Sequence, residues 1–210
     1  MLTLYGVPGW GSAISEVMLT MAEIPYHFVD VDGFDSPGAQ HDVLEQINPL
    51  CQVPTLRLGD GTIMTESAAI ALMILDERPD LAPLPGSPQR ALFQRLLIWI
   101  VANVYPTFTY ADYPQRFAPD APEQLQNSCI AFRKTLYQWL DRQLVGPYAL
   151  GDNVTLIDAY VVVMRTWGPR AVWFAEHTPR LSAIADRVAQ LPALQKVFGD
   201  NGILTAQNAN

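Results

Sequence analysis

Between residues 79 and 88 the chain carries four prolines (Pro79, Pro83, Pro85, Pro88) and Gly86, and its patterning changes across that segment. Proline supplies no backbone donor and cannot continue a helix or a sheet ladder, so this run predicts a stiff linker between two differently built units. Ahead of it, short β-like runs alternate with helical periods. Residues 2–5 are an apolar strand candidate closed by Gly6, Pro8 and Gly9, and 26–31 alternate as a second. Between them, 12–22 have helical spacing, with Ile14, Val17, Met18 and Met21 on one side and Ser12 placed to cap the start. A short helix is expected over 42–47, stopped by Asn48-Pro49. Residues 55–58 and 62–64 flank Gly59-Asp60-Gly61 as a hairpin, and 68–76 read as a helix. The predicted order is β-α-β-α-β-β-α, with a parallel first pair and an antiparallel closing hairpin.

Past the linker only helical patterns follow, over 89–109, 122–144, 155–167, 180–190 and 193–198, with the tail from Asn201 read as frayed. On 122–144, Leu125, Cys129, Phe132, Leu136 and Leu140 recur at helical spacing and predict one apolar face. Thr155 followed by Asp158 is a capping-box variant ahead of an almost wholly apolar run, so that helix is expected to be central and this element structural. The expected division is an α/β unit over 1–78, a proline-rich linker over 79–88 and an all-α unit over 89–210.

Half of the 210 residues are hydrophobic and 16% are charged, the balance of a globular chain with ample length for a core. The net charge is −8, unevenly spread. Residues 1–86 hold only Arg57 and Arg78, with no lysine, against twelve acidic side chains, a net of −10. Such a unit suits neither nucleic acid nor an anionic membrane. No membrane span or secretory leader is expected. Cys51 and Cys129 lie far apart, without a CxxC or His/Cys ligand spacing, which points to a reducing, cytoplasmic setting and to no metal site.

Two short motifs carry the binding chemistry. In Gln52-Val53-Pro54-Thr55, a proline just before a strand leaves the preceding backbone open to pair with an extended ligand, and the bond before it is a cis candidate. In Thr65-Glu66-Ser67-Ala68, the start of a helix offers N–H groups to a carboxylate. Together they describe a site for a small acidic peptide.

The element order, these two motifs, the linker and the helical second half resemble the cytosolic glutathione transferases, with a thioredoxin-like first domain. Asn48-Pro49-Leu50-Cys51-Gln52-Val53-Pro54-Thr55-Leu56 is similar to that family's Asn-Pro-x-Gly-x-Val-Pro-x-Leu run, with Cys51 where glycine is usual. Tyr5-Gly6-Val7-Pro8-Gly9-Trp10-Gly11-Ser12 resembles the Tyr-x-x-Pro-Gly-x-Cys-Ser opening of bacterial beta-type members, with Gly11 at the cysteine position.

The resemblance implies that glutathione is the co-substrate. Gln52, Val53 and Pro54 would hold its cysteinyl backbone, Glu66 and Ser67 its γ-glutamyl end, and Trp10 would line the cleft. Ser12 is the implied activator of the thiol, with Tyr5 as the other candidate, and His41 is a candidate for the glycyl end, which the lysine-free unit otherwise leaves without a cation. Tyr105, Phe108, Tyr110 and Trp167, with Trp99 nearby in sequence pattern, are candidates for an apolar second-substrate pocket. The implied activity is addition of the glutathione thiolate to electrophilic apolar small molecules by a homodimer. Alternatives are a glutathione-dependent peroxide or disulfide reductase and a non-catalytic binding module of the same fold.

Overall fold

The structure is a computed structural model that describes residues 1–204. It divides into two compact units, Met1–Leu81 with the segment that begins at Ala189, and Ala82–Val188. The second unit therefore ends short of the expected boundary, because the last helical segment packs with the N-terminal unit.

The first unit runs β1 (Leu2–Gly6), α1 (Ser12–Met21), β2 (Tyr26–Asp30), α2 (Ala39–Glu45), β3 (Thr55–Arg57), β4 (Ile63–Thr65) and α3 (Ser67–Glu77). This is the predicted order, and the sheet reads β2-β1-β3-β4. β1 pairs with β2 in parallel and with β3 antiparallel, and β3 and β4 close the antiparallel hairpin. Side chains alternate across the sheet. Tyr5 joins Val7, Val31, Phe34 and Leu44 of α2 in one cluster, while α1 and α3 pack against each other.

Two local expectations fail for the same reason, a side chain with a better partner. Ser12 is the first helical residue, not the cap: Gly11 precedes it at the N-cap, and the hydroxyl turns back to the Val7 backbone. Asn201, expected to begin a frayed tail, is buried, and its amide ties the chain back to the first loop. Residues 205–210, the remainder of that tail, lie outside the described residues.

The second unit comprises α4 (Pro88–Trp99), α5 (Tyr105–Asp112), α6 (Pro114–Phe117), α7 (Pro122–Gln143), α8 (Leu156–Met164), α9 (Ala171–His177) and α10 (Pro179–Ala189), whose last residue falls to the other unit. A final helix, α11 (Gln195–Asp200), completes the order. The Ser87 hydroxyl accepts from the Arg90 N–H and caps α4, with Pro88 in the first turn where its missing donor costs nothing. The single helix expected over 89–109 is interrupted by a π-helical turn, Ile100–Val104. Pro106 follows closely; it cannot donate to the carbonyl one turn back, and the ladder widens ahead of it. The 25-residue run Pro88–Asp112 is long and apolar enough to cross a bilayer, yet it buries Phe93, Leu96, Leu97, Ile100 and Val104 as a core helix does.

α8 is wholly buried, as expected. The Asp158 carboxylate accepts from the Thr155 N–H at 2.7 Å, the Thr155 hydroxyl at 3.0 Å and the Ala149 N–H at 2.8 Å. On α7 the buried face is Cys129, Arg133, Leu136, Tyr137 and Leu140; Phe132, predicted for it, is exposed, and Arg133 takes the inner position.

Candidate functional site

The site is built where three loops leave one end of the sheet. The register pairs Thr55 with Tyr5 on one side and with Thr65 on the other. Continuing it places Val53-Pro54, just before β3, beside Glu66-Ser67, just after β4, with the loop that follows β1 next to them. A parallel β1–β2 pair puts the start of α1 at this end as well.

Each loop is held by a short polar side chain. The Ser12 hydroxyl accepts from the Val7 N–H at 2.9 Å and donates to the Val7 carbonyl at 3.0 Å. Gly6 lets Ser12 in: a Cβ added at Gly6 would sit 2.4 Å from the Ser12 Cβ. Asn201 Oδ1 accepts from the Gly9 N–H at 2.8 Å, and its amide donates to Glu16 Oε1 at 3.0 Å. Glu16 also accepts from the Tyr26 hydroxyl, and burial raises its carboxyl above the usual range against those two bonds. Asn48 donates to the Gln52 carbonyl and to Thr55 Oγ1, and accepts from the Leu50 N–H.

This scaffolding leaves open backbone in the middle. The Val53–Pro54 peptide is cis, as anticipated. Among the described residues no hydrogen bond engages the Val53 N–H or carbonyl. Glu66, exposed, caps α3 with φ +65°, a left-handed conformation rare outside glycine. Cys51 has φ +46°, a left-handed conformation that favours glycine.

The structure sorts the remaining candidates. Gln52 is exposed, Val53 half-buried, Pro54 and Ser67 buried. Trp10 is 41% exposed, its ring edge-on to Phe34 at 5.8 Å. Tyr5 is buried in the cluster facing α2, with the Arg57 guanidinium 5.8 Å from its ring. Ser12 is fully buried, and its one proton already goes to Val7. His41, reserved for the glycyl end, has its Nε2 3.6 Å from Cys51 Sγ. Burial, and then the charge of Glu45, push the Cys51 thiol up.

In the helical unit, Tyr105 and Phe108 each meet Trp167 edge-on, at 5.8 and 5.0 Å. Tyr110 instead packs on Phe117, and Trp99 on Trp139, so neither belongs to that cluster. Sequence reasoning missed Arg133. Its guanidinium lies 3.5 Å from the Phe108 ring centroid, donating from Nε to Thr107 Oγ1 and from Nη2 to the Thr107 carbonyl. No ion pair reaches it among the described residues, and burial lowers its pKa. The only signal for it was an arginine one position past Phe132 in the apolar stripe.

Known proteins share this fold and much of this sequence. Residues 15–78 fit the family model for the glutathione S-transferase N-terminal domain. Over 205 residues the chain is 62% identical to the uncharacterized GST-like protein YncG of Escherichia coli (strain K12), covering 97% of this chain and all of that one. The chain belongs to the glutathione S-transferase family. A more distant family member, the glutathione S-transferase GstA of Escherichia coli O157:H7, is 26% identical over 206 residues, 96% of this chain and all of that protein. A sphingomonad glutathione S-transferase, solved in complex with glutathione, superimposes with a TM-score of 0.76 at 27% identity, covering 95% of this chain and 98% of that one. The family fold is thus shared over nearly the whole length.

Proposed function

We propose that this family member is a glutathione transferase, which binds glutathione at the sheet end and adds its thiolate to electrophilic, mostly apolar small molecules. The observation that carries the reading is the unpaired Val53 backbone beside the start of α3. An extended cysteinyl residue can pair with the Val53 N–H and carbonyl as an added strand does. The γ-glutamyl carboxylate then meets the N-terminus of α3 at Ser67, and its amine meets the Glu66 carboxylate. Gln52 and Trp10 border the bound peptide. The glutathione-bound relative of the same fold supports glutathione as the ligand.

A free thiol has a pKa of roughly 8.5, so little of it is nucleophilic at neutral pH. Each tenfold gain in thiolate needs about 1.4 kcal/mol, within reach of one hydrogen bond to a charged acceptor. We assign that donor to the backbone at the start of α1, around Gly11 and Ser12, and the Ser12 side chain to shaping the loop. Tyr5 is the second candidate. The Tyr105–Phe108–Trp167 cluster is the proposed wall for the electrophile. We also propose a cytoplasmic homodimer; exposed Leu50, Ile63 and Leu72 on the N-terminal unit suit contact with a second copy.

Isothermal calorimetry with glutathione, and turnover of an aryl halide by the same preparation, test the reading. Micromolar to low-millimolar binding with measurable turnover is expected. Ser67→Ala should weaken binding several-fold while the fold survives; undetectable binding by the unaltered protein would overturn the proposal.

A further inference from the structure

α2 is the least anchored helix of its unit: seven residues, of which only Leu44 is buried. A helix this short does not hold by itself in water. Its outer side carries His41, Asp42 and Glu45, and one ligand atom from each lies within 4.8 Å of the other two. His41 and Glu45 are four residues apart, the spacing at which two side chains meet over one point of a helix surface. The imidazole is oriented from both ends. Nδ1 lies 3.7 Å from Asp42 Oδ1, and Nε2 lies 3.6 Å from the sulfur of Cys51, ten residues away in sequence.

The cluster has no protein cation. Among the described residues Glu45 forms no ion pair and Asp42 has only the His41 ring. Both arginines of the unit are engaged elsewhere, Arg78 with Asp80 and the Ala22 carbonyl, Arg57 over Tyr5. Two carboxylates beside each other on a short helix repel unless something positive joins them.

We infer that His41, Asp42 and Glu45 form a binding site for a divalent cation of the zinc type. One imidazole nitrogen with two carboxylate oxygens suits a borderline ion; magnesium and calcium prefer oxygen throughout. Zinc bonds to nitrogen and oxygen of about 2.0–2.2 Å in a tetrahedron put ligand atoms roughly 3.4 Å apart. The three groups need to close by about an ångström, and Asp42, with its side chain 71% exposed, is free to do so. Cys51 is the outer partner: its sulfur accepts the Nε2 proton and leaves Nδ1 free to ligate. The bound ion fastens α2 and places positive charge in a region of net −10, next to the segment that continues into Gln52. The site does not depend on the glutathione reading.

The test is calorimetry of the untagged, metal-stripped full chain with Zn2+, with Mg2+ as the comparison. One Zn2+ site and no Mg2+ response are expected. His41→Ala and Glu45→Gln should each weaken Zn2+ binding at least tenfold, and Cys51→Ala by about 10- to 100-fold, the usual effect of losing an outer-shell partner. Cys129→Ala should leave it unchanged. Amide exchange over Ala39–Glu45 should slow when Zn2+ is added. Absence of Zn2+ binding by the unaltered chain, or binding that survives in the folded His41→Ala, Glu45→Gln double variant, would overturn the inference. His41 and Glu45 lie on a mostly exposed helix and Cys51 on a half-buried loop, so their variants should fold, which circular dichroism verifies for these and for Cys129→Ala.

Discussion

The loops at the sheet end and the aromatic cluster of the helical unit are held in different ways. At the sheet end, single short side chains fix the main chain: Ser12 on Val7, Asn48 on Gln52 and Thr55, Asn201 on Gly9. In the helical unit, Tyr105, Phe108 and Trp167 rest on one another and on the buried Arg133 guanidinium. A hydrogen bond to buried backbone has one geometry, and losing it strands a donor or acceptor. Ring packing is less directional and repacks when volume is kept. The first region is therefore held in one geometry, and the second can repack without losing the fold.

The harshest break in that contrast is Gly6→Ala. Its new methyl would meet the Ser12 Cβ at 2.4 Å, so β1 or α1 must shift, and we expect a loss of about 3 kcal/mol or more in urea unfolding. A tolerated alanine would show that the sheet end is softer than its bonding suggests. Asn48→Ala comes next. It leaves the Gln52 carbonyl with one partner fewer and the Leu50 N–H with none from this side chain, at a cost of about 2 kcal/mol, and glutathione affinity should fall with stability. In the aromatic cluster, Phe108→Leu should cost about 1 kcal/mol, leave the glutathione dissociation constant unchanged and alter kcat/KM for an aryl halide by up to about tenfold. Changed glutathione binding in that variant would erase the distinction between the regions.

The smallest effect concerns charge. Burial, opposed by the Asn201 and Tyr26 bonds, raises Glu16 above its ordinary value, so the folded chain keeps this proton after the unfolded chain has lost it. Stability contributed by the group is thus present at low pH and falls as pH rises past the ordinary glutamate range. Relative to the unaltered protein, Glu16→Gln should gain as pH rises past the ordinary glutamate range, read from urea midpoints. A flat difference would mean that the two donors, not burial, control the carboxyl.

What was legible in the sequence follows from periodicity and backbone chemistry. Alternation, helical spacing and the Gly59-Asp60-Gly61 turn fixed the order of strands and helices in the first unit. The proline before β3 and the acid before α3 marked the loops that β3 and α3 start from, because both act through local backbone. Long-range side-chain choices were not legible. Nothing local says that Ser12 bonds back to Val7 instead of capping, or that Asn201 returns to the first loop. Arg133 displaced Phe132 because Thr107 and Phe108, on another helix, satisfied its charge and its face. His41 was placed just ahead of a helix expected over 42–47, whereas α2 runs Ala39–Glu45 and carries it, and the approach of Cys51 depends on the Asn48-Pro49 turn.

Asn201 sets the order in which the molecule can be finished. Its bonds to Gly9 and Glu16 span 192 and 185 residues. On the ribosome the sheet and α1 to α3 can form once residues 1–77 have emerged, since their pairings are internal to that stretch. The loop after β1 must wait for residue 201 before Gly9 gains its acceptor. The first loop is thereby completed only after residue 201 has emerged, and a chain cut ahead of Asn201 keeps the pairings of the sheet without that acceptor.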